Sequence, residues 1–132
     1  MRIAASPTTV LRAGILGLTL LATARPAAIA VFLLIALAMG SLMQAYVASD
    51  FSVINVIQNS HTDKPLLYRI TGVWGNHEGS MLLWVFMLSL CAAAVAVFSD
   101  NLPPLLRARV LAVQGLIAVG FLLFILFTSN PF

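Results

Sequence analysis

Three long runs of apolar residues constrain the fold of this 132-residue chain more than any other feature. They cover residues 27–48, 80–98 and 110–128, and no charged side chain interrupts them. At ~1.5 Å rise per residue, a helix of about 20 residues crosses the roughly 30 Å hydrocarbon core of a bilayer. Every backbone N–H and C=O inside lipid needs a partner within its own segment, so the runs predict three transmembrane helices in an all-α integral membrane protein.

The composition excludes several classes of function. With 61% hydrophobic and 8% charged residues, the chain is far from the soluble average of about 45–50% apolar and about 25% charged. Its Lys and Arg residues do not cluster, so nucleic acid is excluded as a partner and membrane lipid is the expected surrounding. The single cysteine, Cys91, excludes a disulfide framework.

Residues 1–26 form a separate basic segment ahead of the transmembrane region at 27–132. The uncharged stretch between Arg12 and Arg25 is too short to cross a bilayer. We interpret it as a short interfacial helix or a shortened spanning helix, and Arg25-Pro26 predicts a helix break. The alternative is a cleaved signal peptide, because residues 22–24 have the A-x-A form of a cleavage site.

The distribution of basic residues predicts the orientation. Five arginines lie before the first run or between the second and third, and these regions are expected to be cytoplasmic: Arg2, Arg12, Arg25, Arg107 and Arg109. The loop at 49–73 balances Lys64 and Arg69 against two aspartates, and is therefore expected on the outer side of the membrane. The segment WGNHEGS, residues 74–80, follows that loop.

WGNHEGS supplies the candidate site residues, to which we assign a supporting role: Trp74, Gly75, His77, Glu78, Gly79 and Ser80. Ser80 is suited to cap the helix that follows, and Glu78 to face the positive end of its dipole. The glycines, together with Gly72, permit close approach of a neighbouring helix.

Aromatic residues near this segment are typical of an interfacial belt: Trp74, Trp84, Tyr46 and Tyr68. If the helix begins as early as residue 74, spacings of three, four and three place four side chains on one face: Trp74, His77, Met81 and Trp84. That face is suited either to contact with a flat aromatic ligand or to packing against another helix.

No catalytic or metal-binding residue is predicted from the motifs. His77-Glu78 does not begin a His-Glu-x-x-His zinc motif, because position 81 is Met. His61 lies among turn formers and is expected to be a solvated loop residue. The sequence contains no paired-carboxylate site, nucleophile triad or phosphate-binding loop.

Three segments resemble the N-terminal region of the CcmF family, the large membrane subunit of the cytochrome c maturation haem lyase: "DFSVINVIQNS", "LLYRITGVWGNHEGSMLLW" and "VGFLLFILFTSNPF". The resemblance covers roughly residues 50–132. It implies that the complete protein takes haem from the carrier CcmE outside the membrane and joins the haem vinyl groups to the Cys-x-x-Cys-His thiols of apocytochrome c.

The resemblance also implies what this chain does not do alone. The family's tryptophan-rich haem platform and its haem-ligating histidines have no counterpart here, so we expect haem in the complete complex and none bound by this chain. The expected partners are the remainder of the lyase, CcmH, CcmI, CcmE and apocytochrome c. The chain is then a split subunit, truncated product or fragment in the bacterial inner membrane, with the 49–73 loop on the periplasmic side.

Three alternatives remain open. One is a lyase paralogue for nitrite reductase maturation. A transporter subunit would also use glycines and an ionisable pair, although such sites are expected near the bilayer midplane. A passive membrane-assembly protein explains the packing glycines and the aromatic belt equally well.

Overall fold

A computed structural model describes residues 7–132, and this part of the chain forms α-helices without any β-strand. The helices are α1 Pro7–Ala48, α2 Ile54–Asn59, α3 Leu66–Gly72, α4 His77–Phe98 and α5 Pro104–Phe127. Three segments are long and apolar enough to cross a membrane, namely Ala22–Ala48 of α1, all of α4 and all of α5. The predicted fold class is therefore confirmed, and the chain is a multi-pass membrane protein.

The prediction of a helix break at Arg25-Pro26 is wrong. The N-terminal segment is helical as predicted, but α1 continues through Pro26 without interruption. A proline removes only one backbone N–H from the helix, and transmembrane helices tolerate this loss because ending the helix would leave more groups unpaired. Arg2 and the rest of residues 1–6 lie outside the described residues.

Two other helix starts differ from the sequence prediction. α4 begins at His77 rather than at residue 80, because Asn76 rather than Ser80 precedes its first turn. α5 begins at Pro104 rather than at residue 110, since proline fits the first position of a helix and the arginines that follow are good helix formers.

The C-terminal end of α1 reverses the chain in a Schellman motif. The Asp50 N–H donates to the Ala45 carbonyl at 2.9 Å, and the Ser49 N–H donates to the Tyr46 carbonyl at 3.3 Å. Ser49 adopts the left-handed conformation that this motif requires, with φ 53°. The Asp50 carboxylate accepts hydrogen bonds from the Ser52 hydroxyl and backbone N–H, which lower the pKa of Asp50. The turn directs the following segment, with α2, back over α1.

The loop at 49–73 is more ordered than its sequence indicates. It contains α2 and α3, and the Arg69 guanidinium fixes it by donating to the carbonyls of Lys64 (2.9 Å), Val47 (3.3 Å) and Thr62. Lys64 Nζ donates to the Asn59 carbonyl at 2.8 Å. Both cations therefore satisfy backbone carbonyls of the loop, and His61 is exposed as expected.

α1 and α5 pack against α4. The buried side chains of α1 recur at spacings of four, three and four: Ile35, Met39, Leu42 and Tyr46. Such spacing forms the seam of a left-handed helix pair. The opposite faces carry exposed apolar residues, including Leu33, Leu37 and Leu116, as expected for helices in lipid.

At the other end of the bundle, charged residues join α1 to the α4–α5 loop. Arg25 Nη2 lies 3.1 Å from Asp100 Oδ1, and Arg107 Nη1 lies 3.5 Å from the same oxygen. Arg25 Nε also donates to the Ala96 carbonyl at 2.7 Å, near the negative end of α4. These contacts place two of the regions predicted to be cytoplasmic at the same end of the molecule.

Candidate functional site

Asn76 starts α4 and thereby positions the WGNHEGS segment. Its backbone is extended (φ −119°, ψ 167°), and its Oδ1 accepts a hydrogen bond from the Gly79 N–H at 2.7 Å. The predicted capping role of Ser80 is wrong, since Ser80 lies inside the helix and its hydroxyl donates to the His77 carbonyl at 3.0 Å. Glu78 lies in the first turn of α4 rather than ahead of the helix, and its charge is near the positive end of the helix dipole as predicted.

A closed ring of three hydrogen bonds links Asn76 to α1 and α2. The Tyr46 hydroxyl donates to Asn55 Oδ1 at 2.7 Å, Asn55 Nδ2 donates to Asn76 Oδ1 at 3.3 Å, and Asn76 Nδ2 donates to Tyr46 Oη at 2.9 Å. Each side chain is both donor and acceptor. We call these three residues the outer ring, because they lie at the end of the bundle that the sequence predicts to face outward.

Three further hydrogen bonds support the outer ring from outside it. Asn59 Nδ2 donates to Asn55 Oδ1 at 2.9 Å and to the Asn55 carbonyl at 3.0 Å, while Asn76 Nδ2 also donates to the Gly72 carbonyl at 3.0 Å. Tyr46 is 0% exposed and Asn55 4%. A buried network with its hydrogen bonds satisfied fixes one arrangement of the chain. Tyr46 is therefore a buried structural residue, and its assignment to an aromatic belt is wrong.

The glycines permit close backbone approach, as predicted. A Cβ added to Gly79 would lie 1.6 Å from the Val73 carbonyl oxygen, and one added to Gly72 would lie 3.2 Å from the Tyr46 ring. A Cβ on Gly75 would lie 3.3 Å from the Thr71 carbonyl oxygen. At Gly79 the neighbour is the turn before α4 rather than another helix.

The ionisable pair lies at the edge of this rigid turn. His77 is exposed, and its ring meets the Phe124 ring of α5 edge to face with 6.4 Å between centroids. Glu78 is half-buried. Adjacent residues of a helix point about 100° apart. The imidazole therefore faces α5, and the carboxylate points to a different side of α4.

The four residues predicted to share a face do not form one. Trp74 precedes α4, because the helix begins three residues later at His77. Met81 packs against the buried core, whereas Trp84 is 67% exposed. Of the four residues predicted to contact a flat aromatic ligand, only His77 and Trp84 remain as exposed residues of α4, and they lie two turns apart.

The geometry limits the chemistry of the site. Residues 7–132 contain no group of three His, Cys, Asp or Glu side chains that could hold a metal ion. His77 is exposed and Glu78 half-buried, so both side chains can form hydrogen bonds at this end of the bundle. Rigid support by the outer ring and exposure of the imidazole favour contact with a partner over reaction within this chain.

Sequence reasoning missed the outer ring. Asn55 and Asn59 are four residues apart, the spacing that places two side chains on one face of a helix. Only 8% of the residues of this chain are charged. Two amide side chains on one helix face next to a transmembrane helix could therefore have predicted a buried polar network. Their partners Tyr46 and Asn76 are too distant in sequence for any local pattern.

Comparison with known proteins identifies relatives but no matching solved structure or family model. The chain is 64% identical over 112 residues to the cytochrome c-type biogenesis protein ccl1 of Rhodobacter capsulatus, covering 85% of this chain and 17% of the relative. It is 58% identical to CycK of Rhizobium meliloti and 47% to CcmF of Haemophilus influenzae, covering 86% of this chain and 17% of each relative. The chain is therefore similar over most of its length to a part of the ccl1, CycK and CcmF cytochrome c-type biogenesis proteins, and it spans about 17% of the length of these relatives.

Proposed function

We propose that this chain is the N-terminal membrane part of a CcmF-type haem lyase and takes part in cytochrome c maturation. The observation that carries the proposal is the 64% identity to ccl1 over 85% of the chain. Because the chain spans about 17% of the length of its relatives, the activity of a complete lyase would need the rest of that protein. Its proposed substrates are haem, received from CcmE, and apocytochrome c, and its proposed assembly partners are CcmH and CcmI.

Within such a lyase, the turn before α4 is suited to support a haem-handling surface. The outer ring and Gly79 hold the start of α4 in one position, and His77 projects from it while exposed. A fixed, exposed imidazole can orient a partner group or exchange a proton with it. We assign His77 and Glu78 this positioning role, with thioether formation taking place on residues outside this chain.

The alternatives are less well supported. NrfE of Haemophilus influenzae is 40% identical to this chain, compared with 47% for CcmF of the same organism, which favours the general lyase over the paralogue. His77 and Glu78 lie in the first turn of α4 rather than near its middle, which disfavours a transporter site at the bilayer midplane. A passive assembly role differs from our proposal only in giving the ionisable pair no function.

We expect the 49–73 loop on the periplasmic side of the inner membrane. The test places single cysteines at exposed His61 and Asn101, after replacement of native Cys91 by serine, and labels intact spheroplasts with a membrane-impermeant maleimide. His61→Cys should react and Asn101→Cys should react only after lysis. The reverse pattern would contradict the orientation.

We expect this polypeptide alone to bind no stoichiometric haem and to attach none to a Cys-x-x-Cys-His apocytochrome. The reason is that the tryptophan-rich haem platform implied by the family resemblance has no counterpart in this sequence, which contains two isolated tryptophans. The purified chain would be titrated with haem and its Soret absorbance recorded. A full-occupancy Soret band that is lost in His77→Ala would refute this expectation and make His77 a ligand.

In a complete lyase, His77→Ala and Glu78→Gln are expected to lower the yield of holocytochrome c about fivefold, the effect of losing one hydrogen bond worth about 1 kcal/mol. Membrane abundance should not change, since neither side chain belongs to the outer ring. Both quantities would be measured, with exposed Gln58→Ala as the control in the same outer region. Unchanged yield in both variants would leave only the passive assembly role.

A further inference from the structure

The two short helices of the 49–73 loop turn polar side chains toward the protein and large apolar side chains away from it. Asn55 and Asn59 of α2 bond to each other and to the outer ring on the inner side. Five large apolar side chains of α2 and α3 are exposed, each by more than half: Ile54, Ile57, Leu66, Leu67 and Tyr68. Soluble surfaces rarely group such residues, so this surface is suited to an apolar environment.

The two cations of the loop are turned away from this apolar surface. Lys64 Nζ donates to the Asn59 carbonyl at 2.8 Å, and the Arg69 guanidinium donates to three backbone carbonyls. Lysine and arginine side chains at a surface in water keep their charged groups in the solvent. Here both side chains are half-buried, and their hydrogen bonds to carbonyls lower the cost of placing the loop in a medium less polar than water.

Val47 joins the loop to the lipid-facing side of α1. Exposed Leu37 is followed along one side of that helix by Gly40, Gln44 and Val47, at spacings of three, four and three. Val47 is 39% exposed, and Arg69 Nη1 lies 3.3 Å from its carbonyl oxygen. α3 therefore lies beside the point where the lipid-facing side of α1 reaches the end of the helix.

The turn between α2 and α3 has a different character. His61, Thr62 and Asp63 are polar and exposed. The loop thus combines two helices that expose apolar side chains with one polar turn between them. Helices that lie on a membrane bury their apolar side about 5–10 Å into the boundary between headgroups and acyl chains, while polar groups beside them stay in water.

We propose that α2 and α3 lie in the phospholipid headgroup layer at this end of the bundle, with their exposed apolar side chains among the upper parts of the acyl chains and the polar turn in water. The continuity with α1 favours lipid over a protein partner. The size of the surface does so too, because five apolar side chains are far fewer than the roughly 20–30 residues on each side of a standard protein interface.

The inference goes beyond the proposed function and does not depend on it. A loop outside the membrane need not touch lipid, whereas an inserted loop sets the depth of whatever it holds. Asn55 of α2 donates to Asn76 at the start of α4. Insertion of α2 would therefore also fix the depth of His77.

Depth-dependent fluorescence quenching in phosphatidylcholine nanodiscs tests the position of the loop, because a soluble quencher reaches both faces of a nanodisc. Ile57→Cys and Leu67→Cys are the test variants, each with a bimane label in a Cys91→Ser background. His61→Cys in the polar turn and Leu37→Cys on the lipid-facing side of α1 are the controls. The labelled side chains are exposed, so folding should not change.

The labels at Ile57→Cys and Leu67→Cys should be quenched about threefold more strongly by lipid spin-labelled near the headgroup end of its acyl chain than by lipid labelled near the methyl end. Leu37→Cys should show the reverse order. Aqueous iodide should quench His61→Cys about threefold more strongly than the two test variants.

Two results would overturn the proposal. Iodide quenching of the test variants equal to that of His61→Cys would place both helices in water. Protection of the test variants from iodide and from both spin-labelled lipids would show that protein, such as a second copy of this chain, covers the surface. The measurement needs neither haem nor apocytochrome, so its outcome is independent of lyase function.

Discussion

Gly79→Ala is expected to destabilise the protein by about 3 kcal/mol, the upper end of the usual cost of overpacking, because the contact is with rigid backbone. The added Cβ would lie 1.6 Å from the Val73 carbonyl oxygen, and reaching even 3.0 Å requires that oxygen to retreat by about 1.4 Å. The obstacle is backbone, so no side-chain rotation relieves it. Thermal unfolding of the purified chain in detergent and its abundance in membranes would both measure the loss.

The expected loss of stability in Gly79→Ala comes from a steric clash and not from the backbone conformation. The control is therefore a glycine whose substitution causes no clash. The described glycines have no positive φ, so alanine is compatible with the backbone of Gly79 and only the contact with Val73 opposes it. Gly40→Ala places the same methyl group where nothing lies within 4 Å, and it should be neutral or slightly stabilising. Equal behaviour of the two variants would show that the turn before α4 yields easily and does not position His77.

Much of the membrane architecture could be predicted from the sequence, because backbone N–H and C=O groups inside a bilayer must be paired within their own segment. Three uncharged runs of sufficient length become helices, and α4 ends at Phe98 as the apolar run does. The failures are at helix starts and breaks. Pro26 is a helix breaker in water, but in this bundle the helix continues through it because lipid penalises unpaired backbone groups more strongly.

The position of the candidate residues at the start of α4 could be predicted in outline, but their supporting structure could not. The glycine-rich turn and the place of Glu78 in the first turn follow from local rules. The role of Tyr46 does not, because it depends on Asn55 and on Asn76, which is 30 residues away. An aromatic residue near a membrane boundary is usually interfacial, and only the fold shows that two amides surround this one.

Asn76→Ala is expected to have the second large effect, because it changes this supporting structure. We expect it to lower the free energy of unfolding by about 2–4 kcal/mol. The substitution removes the N-cap of α4, worth about 1 kcal/mol, and leaves buried groups that also need partners, at about 1–3 kcal/mol. The lost cap is the bond from the Gly79 N–H to Asn76 Oδ1 at 2.7 Å. The other groups that lose a partner are Asn55 Nδ2, which donates to the same oxygen at 3.3 Å, and Tyr46 Oη, which accepts from Asn76 Nδ2 at 2.9 Å. Thermal unfolding in detergent would measure the loss.

Two companion variants separate the cap from the outer ring. Asn76→Asp keeps the oxygen that accepts from Gly79 but loses the Nδ2 donor to Tyr46, so its stability should fall between wild type and Asn76→Ala. Asn59→Ala removes only the bonds that Asn59 Nδ2 donates to Asn55, outside the closed ring, and should cost less than about 1.5 kcal/mol. If Asn59→Ala is as damaging as Asn76→Ala, the closed ring is not the element that fixes the start of α4. If Asn76→Asp equals Asn76→Ala, the ring contributes the stability and the cap contributes little. The intermediate result would show that both hold His77 in place, because the same amide joins the helix start to the buried hydroxyl of Tyr46.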